Sequence, residues 1–129
     1  MHPIDCLISR VMNLDGLPSK RNPAGIAQCR LAVAVTRAFI GAQCTDKSKQ
    51  SVKTSLKAAE VVAELAMTAP AQRIAIEHGI DLLEAIPVDA IHSGQFREVR
   101  WPQIQSLVAE RIATLTRQRE QRRKRAKKR

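Results

Sequence analysis

Residues 26–44 constrain this chain more than any other stretch. Ile26, Ala27, Leu31, Ala32, Val33, Ala34, Val35, Ala38, Phe39, Ile40 and Ala42 leave no continuous polar side at helical spacing. A helix that is apolar all round is normally the buried centre of its domain, so the remaining elements are expected to wrap it. Arg30 and Arg37 lie seven residues apart, two helical turns, and mark its one wet edge. A strand through Leu31–Val35 competes on β-propensity, but the interleaved alanines argue for helix. Thr36 and Arg37 interrupt the run, which is far too short to span a bilayer.

The elements around this centre also read as helices. The only aromatics are Phe39, Phe96 and Trp101, while Ala, Leu, Ile and Val are plentiful, a composition that suits helices better than strands. Ile4, Leu7, Ile8, Val11 and Met12 recur on one face, predicting a helix over 3–13 with Pro3 in its first turn and Asn13-Leu14-Asp15-Gly16 ending it. The run to Gly25 is a loop. Within it Ser19-Lys20-Arg21-Asn22 is small, polar and basic, either an ordinary solvated connection or a phosphate-contacting loop. Thr45-Asp46 is the expected N-cap pair of the next helix, which runs to about Met67 with Val52, Leu56, Ala59, Ala63 and Met67 inward.

Residues 71–86 read as one helix bent at Gly79 or two short ones, with a strand through 73–77 as the alternative. Ala75 and Gly79 have the spacing of a helix-turn-helix, but Leu82 and Leu83 stand where exposed base-reading residues belong and Pro87 interrupts, so that motif is not expected. A short helical piece, Val88–Ile91, precedes the last helix, which Pro102 opens and which carries Ile104, Leu107, Val108, Ile112 and Leu115 on one face. The fold expected is therefore mostly α, a compact bundle of about five helices whose long C-terminal helix runs into a basic arm.

Charge separates the chain into a helical domain, 1–116, and a basic tail, 117–129. The tail has nine cations against one acid, a net +8, and its only apolar residue is Ala126, whereas the first 116 residues carry just +2. Such a segment cannot bury itself and must be solvated or neutralised by a partner. The body is polarised too, with +7 over residues 10–57 and −5 over 58–110. The asymmetry points to an anionic partner.

Nucleic acid is the expected partner, with DNA favoured over RNA. Arg117, Arg119, Arg122, Arg123, Lys124, Arg125, Lys127, Lys128 and Arg129 are the candidate phosphate contacts in the tail. Contacts by about six of them would give a log–log salt slope near −5 on duplex DNA. Lys49, Lys53 and Lys57 recur every four residues and form a second candidate surface. Glu60, three residues after Lys57, and Glu64, four beyond that, follow on the same helix, and Glu60 offers Lys57 a partner. Arg97 and Arg100 flank Trp101 and Phe96 in the one aromatic-basic cluster, which either grips a sugar-phosphate backbone or packs onto the body. Too few aromatics are present for a base-stacking platform.

Enzyme chemistry is not expected. The chain has no glycine-rich phosphate loop, no HExxH and no GxSxG elbow. His2, His78 and His92 are scattered, and Cys6, Cys29 and Cys44 have no paired metal or redox spacing, so no metal or other cofactor is expected. With no export-signal pattern at MHPIDCLISR, the expected compartment is the reducing cytoplasm. The expected role is a regulatory or accessory factor acting on duplex DNA. Alternatives are a helical protein–protein adaptor tethered by its tail to an acidic partner, and an RNA- or ribosome-associated protein. In an intramolecular variant the tail rests on the acidic region 58–110. A membrane surface is disfavoured because the tail lacks an apolar face, and a homodimer through 26–44 or the last helix is an open possibility.

Overall fold

A computed structural model describes residues 2–128, which contain five α-helices joined by short 3-10 turns, and no strand. The apolar run forms α2, Pro23–Thr45, 23 residues and about 34 Å long. Asn22 caps it by accepting the Gly25 N–H at 2.8 Å, and Pro23 occupies its first turn. Gly25 is required there, since a Cβ would lie 1.8 Å from the Lys20 carbonyl oxygen.

α1 spans Pro3–Gly16 and buries Ile4, Leu7, Val11 and Leu14. It runs three residues beyond the expected end because Leu14 continues the apolar stripe and Asp15 is clasped by Arg73, with both guanidinium contacts at 2.8 Å. Met12, expected inward, is exposed. The loop after α1 is structural in part: Arg21 donates to the Leu14 and Asp15 carbonyls that α1 leaves open.

α3, Lys49–Ala66, packs Ala58, Ala59, Val62 and Ala63 inward. Its cap is Ser48, which accepts from the Ser51 N–H, and not Thr45-Asp46. Thr45 still belongs to α2, while Asp46 supports the turn by accepting from the Ser48 N–H and the Ser51 hydroxyl. Those hydrogen bonds lower the Asp46 pKa.

α4 covers Ala69–His78 and stops at Gly79, whose φ of 65° is the left-handed cap that glycine adopts freely. The strand alternative for 73–77 is thereby replaced by helix. A 3-10 turn, Leu82–Ala85, follows in place of a second helix, so no helix-turn-helix forms. Another turn, Val88–Ala90, leads to Ser93, which caps the final helical segment through the Phe96 N–H at 3.2 Å.

That segment begins with a π-turn over Phe96–Arg100 and continues as α5, Trp101–Lys127, about 40 Å long. Pro102 explains the widening. It lacks an N–H and its ring opposes the preceding turn, so the Trp101 N–H reaches back five residues to the Phe96 oxygen. Phe96 is buried and Trp101 half-buried, their rings 6.5 Å apart.

The core joins Leu7, Leu14, Ile40, Ile74, Ile91 and Ile104, all fully buried. Burying each such side chain is worth about 1.5–3 kcal/mol. α2 touches α1, α3 and the 82–85 turn, yet it is not enclosed. Leu31 is 64% and Val35 46% exposed, and Ala27, Ala34, Ala38 and Ala42 are exposed beside them. The expectation of a fully buried centre is thus corrected: the remaining elements cover only the arc of Cys29, Ala32, Val33, Thr36 and Ile40. Arg30 and Arg37 do share one side, but they act as clamps. Arg30 donates to the His78 carbonyl and Arg37 to that of Glu84, both at 2.8 Å, tying α2 to the chain that leaves α4.

Candidate nucleic-acid interface

α5 rests on the body only as far as its apolar stripe lasts. Ile104 and Val108 are buried, Ile112 and Leu115 half-buried, and Arg111 donates to the Met67 carbonyl at 2.8 Å. The last anchor is Arg119, which meets Glu77 at 2.8 Å. Glu120 to Lys128 are all exposed, and the helix continues unbroken through Lys127. Arg, Lys, Gln and Ala are strong helix formers, so local propensity agrees with that course. Arg129 lies outside the described residues.

Seven tail cations, Arg117, Arg122, Arg123, Lys124, Arg125, Lys127 and Lys128, have no ion-pair partner among the described residues. Their placement around the helix is uneven. At about 100° per residue, Arg117, Arg123, Lys124, Lys127 and Lys128 fall within an arc of about 140°. The middle of that arc points away from the stripe of Ile104, Val108, Ile112 and Arg119 that faces the body, while Arg123, at one edge, falls about 20° from the line of Ile112. Arg122 and Arg125 project from the other side. Glu120 sits within the cationic arc and offsets part of its charge.

The other sequence-predicted residues do not join this surface. Lys49, Lys53 and Lys57 are exposed on α3. α5 meets α3 at Glu60 and Met67 and then passes α4 at Glu77, so it runs away from Lys49. Lys57 and Met67 alone are separated by about 15 Å of helix. Arg97 donates to the Ile91 carbonyl at 3.0 Å. Arg100 chelates Glu60 at 2.8 and 3.0 Å, which raises the arginine's already high pKa. Both arginines thus brace the start of α5, and the aromatic pair beside them packs inward.

Reasoning from sequence missed the braces. Nothing in the spacing of Asp15 and Arg73, 58 residues apart, announces their bidentate pair. Arg73 holds the Asp15 carboxyl below its ordinary pKa, chiefly by hydrogen bonding and against a contrary effect of burial. Glu77 was legible only as one acid in an acidic region, and its role as the last anchor of α5 depends on the packing of α4 against α5.

The histidines serve separate local tasks. His2 caps α1 through the Ile4 N–H, His92 meets the Cys44 carbonyl at 2.6 Å, and His78 lies 3.9 Å from Glu77. Among the described residues no three His, Cys, Asp or Glu side chains gather as a metal site, and no helix is long and apolar enough to cross a membrane. Cys29 is buried, which pushes its thiol pKa up. No family model, curated protein or solved structure matches the chain.

Proposed function

We propose that this chain is a non-enzymatic, cytoplasmic nucleic-acid-binding factor, regulatory or accessory in role, that holds duplex DNA by its C-terminal arm. One observation carries the reading: α5 carries five unpaired cations in one arc, and four of them, Arg123, Lys124, Lys127 and Lys128, lie on its exposed end past Arg119. Allowing one charge for Glu120, about four phosphate contacts fit, for a salt slope near −3.6. The arm supplies attraction without base readout, since lysine and arginine contacts to phosphate carry no sequence information.

The test is fluorescence anisotropy on a random-sequence duplex across about 50–200 mM salt. Full-length protein should lose roughly 150-fold in affinity over that range. Removal of residues 121–129, which keeps Arg119 on Glu77, should abolish most binding at low salt. Equal binding by the shortened chain would refute the proposal.

A protein–protein adaptor is the second reading, favoured by the uncovered apolar face of α2 around Leu31 and Val35. It predicts no salt-sensitive shift of random duplex, together with a complex that Leu31→Asp disrupts.

A further inference from the structure

The cleft between α1 and α3 combines an apolar floor with charges that have no partner. Ile4, Ile8, Phe39, Ala58 and Val61 line a groove of about 510 Å³, within the size range of small-molecule sites. Its end wall is held in place. The Phe39 ring meets the His2 imidazole edge-on at 4.8 Å, and that imidazole is itself fixed by accepting the Ile4 N–H.

Lys53 and Lys57 border this groove from α3, one turn apart. Neither forms an ion pair among the described residues. Spacing along α3 makes Glu60 the natural partner of Lys57, but Arg100 holds both oxygens of that carboxylate. Two like charges at i, i+4 remain, an arrangement that costs stability until an anion offsets it. Asp5 borders the groove from α1 without coming within 4 Å of either ammonium, so the lysines are not neutralised from across the cleft.

We infer that this groove binds a small anionic amphiphile, a carboxylate with an unbranched apolar body, as in a medium-chain fatty acid. The carboxylate sits between Lys53 and Lys57, and the hydrocarbon lies on Ile4, Ile8, Phe39 and Val61. Charge complementarity selects the head, and the apolar floor selects the tail. Asp5 opposes the head and sets an upper limit on affinity. This assigns Lys53 and Lys57 to a small ligand and leaves duplex binding to the arm.

Equilibrium dialysis of the full-length chain against decanoate below its micellar concentration tests the inference. One saturable site is expected, with decanol at least about tenfold weaker and acetate unable to compete, because acetate shares the head but lacks the body that fills the groove. Lys53→Gln/Lys57→Gln should weaken decanoate about tenfold, leaving decanol binding and duplex affinity unchanged and the urea midpoint no lower than the parent's. Asp5→Asn should tighten decanoate about threefold. Equal affinity for decanol and decanoate would overturn the assignment. So would absence of saturable binding, displacement by acetate, or a double variant that loses duplex affinity while retaining decanoate.

Discussion

Two substitution pairs with equal charge loss distinguish a structured helical arm from a diffuse cloud of charge. Lys124→Gln/Lys128→Gln removes two cations from the face turned away from the body, whereas Arg122→Gln/Arg125→Gln removes two from the other side. Each lost phosphate contact should reduce the salt slope by about 0.9. The first pair should therefore take the slope from about −3.6 to about −1.8 and weaken binding about 60-fold at 0.1 M salt. The second should leave the slope within error of the parent. Charge loss alone predicts equal slopes, and arginine's stronger phosphate contacts alone would predict the opposite ranking. Anisotropy titrations of both variants on one duplex, at four salt concentrations, provide the comparison. Circular dichroism checks that helix content is unchanged, as Gln is a comparable helix former. Equal slopes for the two variants would show that the cations act without regard to helix face, and the proposed geometry of binding would fall.

Three further outcomes concern the body. On α2, Ile40→Ala should cost about 2–5 kcal/mol in urea unfolding and Leu31→Ala less than about 1, because Ile40 is 0% and Leu31 64% exposed; a large, concentration-dependent cost at Leu31 would mean that its face is covered in solution. Gly25→Ala should destabilise by more than about 2 kcal/mol by driving a methyl group into the Lys20 carbonyl, while Gly41→Ala, with open space around it, should stabilise by about 0.5–1; the same sign at both positions would contradict the packing. The Asp15 carboxyl has a lower pKa folded than unfolded, so its pair with Arg73 stabilises fully above the unfolded value near 3.8 and ceases to do so as pH falls through the folded one. Asp15→Asn should therefore lower stability by about 1 kcal/mol at pH 7, discounted for the partly exposed guanidinium, with the difference shrinking as pH falls below the unfolded value; a pH-independent difference would show that the ion pair is not its source.

The sequence by itself determined the helical class, most element boundaries to within a few residues, and the separation of a near-neutral body from a basic tail. These are local quantities. Apolar spacing at 3.6 residues, the break at Gly79 and the exhaustion of apolar residues after Leu115 all depend on near neighbours along the chain, whereas the cap of α3 fell at Ser48 and not at Thr45-Asp46. Tertiary packing decided the rest. Whether α2 is enclosed depends on how many elements reach it, so an apolar periphery could not reveal that Leu31 and Val35 face outward. Which cations are free depends on acids and carbonyls brought close by the fold. Glu77 engages Arg119, Glu60 engages Arg100 and leaves Lys57 without it, and carbonyls at 78 and 84 engage Arg30 and Arg37. Charge is readable from composition, but its availability to a partner depends on distances that only the folded chain establishes.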